Sequence, residues 1–500
     1  MCMRLPRSSL QWQLLLKKNR SVMDEREYDV IVIGAGSTGE NVADRAVKGG
    51  LTAAIVESEL VGGDCSYWAC MPSKALLRPG QALEDARGVK GAREAVTGKL
   101  SVAAVFERRD SFTSNWDDSG QVKWLRHAKI DLLRGHGRLT GERRVSVTDK
   151  AGITTNLTAR HAVVVCTGSR SAIPDVPGLV EVQPWTSHEA TSARTVPRRL
   201  AILGGGVVAC EMATAWKQLG TEEITVIQRS ARLIPHCEPF AGEMLKAAFE
   251  QRGISVLTDT TVRHAERQGD GVARMALSGG QTLFADQVLV ATGRQARTGE
   301  LGLETVGLKP GSWLEVDDSL RVKQVAGGWL YAAGDVNHRA LLTHMGKYQA
   351  RVCGDVIAAR AKGDADAATP EPWARYSSTA DGCAVPQVIF TDPEVATVGL
   401  REAEARARGI KARAVDYDIG RVAGAGLYAD GYEGKACMVV DLERGVLIGM
   451  TLVGPSVGEL IHAATIAIVG AVPVSRLWHA VPAYPTISEV WLRLLETFGL

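Results

Sequence analysis

The chain has 500 residues, of which 45% are hydrophobic and 23% charged, with 53 glycines, 18 prolines and nine cysteines. At roughly 150 residues per domain this length suggests about three domains, and the composition excludes a disordered chain, a collagen-like repeat and a small disulfide scaffold. A formal net charge of +2 gives no reason to expect nucleic acid as a partner.

No apolar run reaches the ~18 residues that a membrane span needs; the longest candidate, residues 463–474, is interrupted by Gly470 and Pro473. Nine cysteines over this length are too sparse for a secreted disulfide framework. A reducing, cytoplasmic setting is expected, and no metal site. Residues 1–22 carry five basic residues and no acid, so without them the net charge of +2 becomes −3. Residues 1–26 are expected to be an over-long start or a disordered arm. A targeting peptide is the alternative, although the segment lacks a clean apolar core and cleavage site.

The first predicted element is an apolar strand over residues 28–33. It runs into Gly34-Ala35-Gly36-Ser37-Thr38-Gly39, a GxGxxG pattern, and a helical pattern follows over 40–48. A second strand over 51–56 ends at Glu57, 18 residues after Gly39. This is the order of a dinucleotide-binding Rossmann unit. Gly34 makes the turn, Gly36 lets a pyrophosphate approach the backbone, and Gly39 lets helix and strand pack closely. The helix start supplies N–H donors to the phosphates, and Glu57 can accept ribose hydroxyls.

Next comes Gly62-Gly63-Asp64-Cys65-Ser66-Tyr67-Trp68-Ala69-Cys70-Met71-Pro72-Ser73-Lys74. On a regular helix, residues five apart lie about 8.6 Å apart at Cα, whereas a disulfide needs less than about 7 Å. Cys65 and Cys70 can therefore bridge only if the helix is distorted; otherwise they are two ordinary intracellular thiols.

A second nucleotide unit is predicted from Arg199. A strand over 200–203 leads into Gly204-Gly205-Gly206, with Ala209 in the third glycine place, a helix to Gly220 and a strand over 224–227. No acid ends that strand; Gln228-Arg229-Ser230-Ala231-Arg232 follows. Arginines there would pair with a 2′-phosphate, so NADPH is expected, with NADH as an alternative. The other reading of Arg229 and Arg232 is two solvated surface charges. Two dinucleotide units in one chain imply hydride transfer from a nicotinamide to a flavin.

With these residues in view, the chain resembles the class I pyridine nucleotide-disulfide oxidoreductases, such as dihydrolipoamide dehydrogenase and mercuric reductase. Their pattern GGTCxxxGCIPSK matches residues 62–74, with Asp64 for Thr, Ala69 for Gly and Met71 for Ile. Cys166-Thr167-Gly168 and Ala291-Thr292-Gly293-Arg294 resemble the family's two ATG-type turns. Ala333-Gly334-Asp335 resembles its second flavin motif, and residues 390–396 resemble the start of its dimerisation domain. The resemblance implies an α/β fold: two Rossmann-like domains, for FAD and NAD(P), and a C-terminal α+β dimerisation domain. The expected division is an FAD domain over 27–178 and 299–370, an NAD(P) domain over 179–298 and an interface domain over 371–500, in a homodimer.

It also implies roles. Cys65 and Cys70 would form a redox-active disulfide, Cys70 against the flavin and Cys65 outermost. Lys74 would lie near the flavin, paired with Glu211. Gly34, Gly36, Gly39, Glu57, Gly63, Lys74, Thr167, Gly168, Gly334 and Asp335 would contribute to the FAD site. Gly204, Gly206, Glu211, Arg229, Arg232 and Gly293 would contribute to the NAD(P) site.

The family's C-terminal His-Pro-Thr-x-x-Glu, whose histidine serves the partner subunit's dithiol, here reads Tyr484-Pro485-Thr486-Ile487-Ser488-Glu489. A free tyrosine titrates near 10 and a histidine near neutrality, so proton transfer falls to Tyr484 with Glu489, or to His479 upstream. The expected activity runs from NADPH through FAD and Cys65–Cys70 to a disulfide or other acceptor. Quinone (diaphorase) reduction, soft-metal reduction as in mercuric reductase, and a non-turnover redox sensor are the alternatives.

Overall fold

The computed structural model describes residues 25–269 and 271–500. The basic N-terminal stretch thus lies outside the described residues, apart from Glu25 and Arg26. Those two open the first strand, Glu25–Ile33, pairing with Asn156 and Leu157. The exposed start of the strand is held by ladder pairing and not by the apolar pattern that marks its buried half.

The first sheet has a parallel core in the order Ile130–Arg134, Ala53–Glu57, Glu25–Ile33, Thr154–Val165, with Leu330–Ala332 completing it beyond Thr154–Val165. Val30 to Ile33 are all buried, the continuous apolar run expected of a strand covered on both faces. Two helices, Ser37–Lys48 and Thr343–Ala361, lie against one another. Glycines allow the approach: a Cβ on Gly346 would lie 2.4 Å from Thr38 Oγ1, and one on Gly354 would lie 2.5 Å from Arg45 Cβ.

The second parallel sheet runs Ile254–Leu257, Glu223–Ile227, Arg199–Leu203, Gln287–Val290. The helix Val207–Gln218 follows its glycine turn and is buried along most of its length. Ser169–Ser171 and Arg294–Ala296 pair antiparallel where the chain leaves the first unit and where it returns. A third sheet is antiparallel, in the order Gln387–Ile389, Glu394–Gly399, Val446–Gly454, Lys435–Asp441, Ala412–Asp418. This is the mixed α/β architecture expected from the sequence. Among the described residues no helix is long and apolar enough to cross a membrane.

Candidate active site

The cysteine motif does not form one helix. A short helix, Gly63–Tyr67, carries Cys65; the chain breaks at Trp68 and Ala69; a long helix, Cys70–Arg87, begins at the second cysteine. This is the distortion the spacing requires before the two residues can meet. Both cysteines are partly buried thiols. The Cys70 thiol lies 3.2 Å from Thr343 Oγ1, at the start of the helix Thr343–Ala361.

Cys70 is held below the usual thiol range. The hydrogen bond from Cys65 is the main cause, joined by Thr343 and the Lys74 charge, and opposed by burial and by Glu211. Cys65 is pushed up, first by the hydrogen bond it gives to Cys70 and then by burial. The thiol at a helix start beside a cation is therefore the one that ionises, as thiolate chemistry requires.

Lys74 lies one turn along the Cys70 helix. Its Nζ is 2.7 Å from Glu211 Oε2 and 4.8 Å from the centre of the Phe390 ring. Glu211 is buried on the helix Val207–Gln218, and its other oxygen accepts the Phe390 N–H at 3.1 Å. One carboxylate thus joins the cysteine helix, the second nucleotide unit and the turn between the first two strands of the third sheet.

Beside the cysteines lies a cavity of about 710 Å³, lined by Gly34, Gly36, Glu57, Gly63, Cys65, Thr167, Gly168, Gly334 and Asp335, among others. Three observations fit it to an elongated dinucleotide. A Cβ on Gly63 would lie 2.8 Å from Gly36 Cα, so the cradle is bare backbone at its narrowest point. Thr167 Oγ1 is buried there without a hydrogen-bond partner among the described residues. Glu57, at the end of its strand, accepts the N–H groups of Ala35 at 2.7 Å and Glu59 at 2.8 Å, and keeps lone pairs for hydroxyl donors. Burial raises the Glu57 and Asp335 carboxyls; backbone N–H groups oppose this at Glu57, and Ser169 opposes it at Asp335. Gly39 does not line the cavity. It lets the helix close on the turn, since a Cβ there would lie 1.9 Å from Gly34 O.

At the second unit, a Cβ on Gly204 would lie 2.3 Å from Ala291 O, while Gly206 is open. Arg229 is exposed and Arg232 half-buried, and neither guanidinium has a carboxylate partner among the described residues. A Cβ on Gly293 would meet nothing within 4 Å. The next residue, Arg294, turns toward the first unit: Nε donates to Ser169 Oγ at 2.5 Å, and Ser169 in turn donates to Asp335 at 2.5 Å.

The C-terminal candidates stand apart from this cluster. Tyr484 is 77% exposed, and His479 is exposed as well. Glu489 is buried and pairs with Arg493 at 2.6 Å, not with Tyr484. Within the chain, no hydrogen bond or ion pair among the described residues links these groups to the cysteines. The C-terminal part of the chain, which carries the third sheet, also exposes Leu427, Ile466, Val469, Trp478 and Val481, apolar surface suited to an interface.

Sequence reading missed Thr343, which lies 273 residues from Cys70, and Phe390 as the second partner of Glu211. It also missed His188, whose Nε2 lies 3.2 Å from Asp64 Oδ1. Local spacing carries no signal for the first two. For the third, the acid at residue 64, where the family pattern has Thr, was the available signal.

A pyridine nucleotide-disulphide oxidoreductase profile matches residues 28–359. The dimerisation domain of the same family matches residues 385–494. The chain belongs to this family. It is 31% identical over 467 residues to a mercuric reductase of Staphylococcus aureus, covering 93% of this chain and 81% of the relative. It is also 31% identical over 477 residues to a dihydrolipoyl dehydrogenase of Thermus scotoductus, covering 94% and 97%. In fold it is similar to the HOCl-induced flavoprotein disulfide reductase RclA of Escherichia coli, with a TM-score of 0.78 at 20% identity over 94% of this chain and 99% of that one. Members of the family are FAD-dependent and use NAD(P)H, and the dimerisation domain supports a homodimer.

Proposed function

We propose that the chain carries reducing equivalents from NADPH to a disulfide acceptor through Cys65 and Cys70, with FAD in the cavity beside them. The observation that carries this reading is the asymmetry of the pair. Cys70 starts a helix, contacts Thr343 at 3.2 Å and has Lys74 as a cationic neighbour, whereas Cys65 is held protonated.

A flavin bound here supplies two-electron transfer between the nicotinamide and the sulfurs. The residues of the chain do the rest. A hydride brings two electrons and one proton. The electrons break the Cys65–Cys70 bond, Cys70 leaves as thiolate, and Cys65 takes the proton. The products are NADP⁺, one thiol and one thiolate, so the step balances without an outside acid. Cys65 then gives up its proton and attacks the acceptor, forming a mixed disulfide, and the proton goes to the leaving sulfur, which departs as one thiol. Cys70 resolves it as thiolate, restoring the Cys65–Cys70 bond and releasing the second sulfur as a thiolate that takes a proton from solvent, so each turnover consumes one NADPH and one proton. Arg229 and Arg232 favour a 2′-phosphorylated nucleotide. Tyr484 and His479 serve proton release only from the partner subunit, since neither contacts the cysteines of its own chain.

Soft-metal reduction is the second reading, favoured by the similarity to mercuric reductase.

The test is an anaerobic NADPH titration followed by visible absorption. Two electrons per subunit should produce a long-wavelength thiolate–flavin band. Cys65→Ser should keep a thiolate band at Cys70, and Cys70→Ser should abolish it. Direct bleaching of the flavin in the wild type, with no band and no new thiols, would overturn the reading.

A further inference from the structure

The break between the two cysteine helices has its own supports. In a continuous helix the Trp68 carbonyl would accept the N–H of residue 72, but residue 72 is proline and has none. The Tyr67 carbonyl is taken by Trp116 Nε1 at 3.1 Å. The Thr191 hydroxyl lies 3.0 Å from the Trp68 carbonyl, 2.9 Å from the Ser187 carbonyl and 3.3 Å from the His188 carbonyl, so its single proton is divided among them. The Trp68 side chain has a firmer hold. The His188 ring stacks on it, with centroids 4.8 Å apart and planes 5° from parallel.

His188 also reaches the other side of Cys65. Its Nε2 lies 3.2 Å from Oδ1 of Asp64, the residue immediately before that cysteine. Asp64 in turn faces Arg294 at 3.4 Å and Arg297 at 3.5 Å. Its carboxyl stays below the usual range: burial pushes it up, and the His188 contact with the two arginines outweighs that. The element carrying His188 is firmly placed. The helix Ser187–Ser192 starts in a capping box between Thr186 and Glu189. Fully buried Arg109 donates to the Thr191 carbonyl at 3.3 Å and the Ala193 carbonyl at 2.6 Å at its far end. One imidazole therefore grips the cysteine segment twice, before Cys65 at Asp64 and after it at Trp68.

We propose that His188 is a positioning residue which, by holding Asp64 and Trp68 together, fixes the approach of Cys65 to Cys70 and so sets the reduction potential of that pair. This rests on the reading that Cys65 and Cys70 are the redox couple. Forming the bond from one thiol and one thiolate releases two electrons and one proton, and its equilibrium depends on how closely the chain presents the two sulfurs. A loosened segment presents them less well, disfavours the disulfide and makes the couple easier to reduce.

The test equilibrates FAD-loaded wild type, His188→Gln and His188→Phe anaerobically in buffers of reduced and oxidised glutathione. There the protein dithiol plus oxidised glutathione gives the protein disulfide plus two reduced glutathiones. The oxidation state of Cys65 and Cys70 is read by alkylation and mass spectrometry. Gln keeps a hydrogen-bonding group for Asp64 and loses the stack; Phe keeps the stack and loses the Asp64 contact. Gln should shift the midpoint by about three- to tenfold toward easier reduction, where tenfold is about 30 mV for a two-electron couple. Phe should shift it by less than about half of that in mV. Unchanged midpoints in both variants, beside a measurable wild-type couple, would overturn the positioning role. A wild-type pair that never changes state across the buffers would instead overturn the reading of Cys65 and Cys70 as a couple.

Discussion

Lys74 and Glu211 meet at 2.7 Å, from a helix that begins at Cys70 and a helix of the second nucleotide unit. The Lys74 charge is one of the influences holding Cys70 below the usual thiol range. The pH consequence follows from the sign. A lowered thiol pKa means that thiolate persists as pH falls, and removing the cation raises the pKa. In Lys74→Met, the long-wavelength band of the two-electron-reduced enzyme should therefore disappear at a higher pH than in the wild type, by about one unit. A pH titration of that band checks it.

Glu211→Ala has a different outcome, because it leaves Lys74 without its partner and the Phe390 N–H without its acceptor. Losing one member of a buried pair costs about 3–5 kcal/mol, reduced here because Lys74 is 35% exposed. A loss of about 2 kcal/mol in denaturant unfolding is expected, with Glu211→Gln recovering part of it through the Phe390 contact.

The division between legible and hidden features follows chain distance. The two glycine turns and the cysteine motif were readable because each is a local device: a backbone that must bend or a strand that must be followed by a helix. Even the broken helix was foreseeable, since five-residue spacing cannot otherwise bring two sulfurs together. Thr343 beside Cys70, Phe390 on Glu211 and His188 on Asp64 were not readable, because each pair is assembled by packing between segments far apart in sequence. The C-terminal segment illustrates the opposite limit. Tyr484 stands out in the sequence as a substitution, yet within one chain it is an exposed side chain.

Arg229 and Arg232 follow the second strand of the nucleotide unit without carboxylate partners among the described residues. Charge-assisted hydrogen bonds to a phosphate contribute about 1.5–3 kcal/mol. The double substitution Arg229→Ala with Arg232→Ala should lower kcat/KM for NADPH by roughly 10- to 100-fold and that for NADH by less than about threefold. Steady-state kinetics with both nucleotides, using any dye acceptor, measure this independently of the natural acceptor. Equal losses with the two nucleotides would return both arginines to ordinary surface charges.

Gly39 offers a steric test of the first nucleotide unit. A Cβ there would lie 1.9 Å from Gly34 O and 3.2 Å from Val32 Cγ1. Backbone and a buried valine cannot yield as a flexible side chain would, so the helix Ser37–Lys48 must shift away from the turn. Gly39→Ala should therefore purify with little or no flavin, read directly from the visible absorption of the protein. Retention of normal flavin content would mean that the helix start is not where the dinucleotide is held.

Glu40, the next residue along, gives a stability prediction with a definite sign. It is 9% exposed, and its Oε1 has no hydrogen-bond partner among the described residues. Burial pushes its carboxyl up to about 7, against the attraction of Lys347 and with a smaller push from Glu57. A carboxyl whose folded pKa is raised favours the folded state while it stays protonated. That advantage is complete below the unfolded value near 4.5 and is lost as pH rises through about 7. One pKa unit corresponds to about 1.4 kcal/mol, so the wild type should lose about 2–3 kcal/mol relative to Glu40→Gln between pH 4.5 and 8. Gln carries no titrating group and nearly the same shape, which isolates ionisation from packing. Denaturant midpoints of the two proteins across that pH range should therefore diverge as pH rises, with Glu40→Gln the more stable at the alkaline end. Parallel curves would mean that the carboxyl is already ionised at low pH, with Lys347 compensating its charge in full.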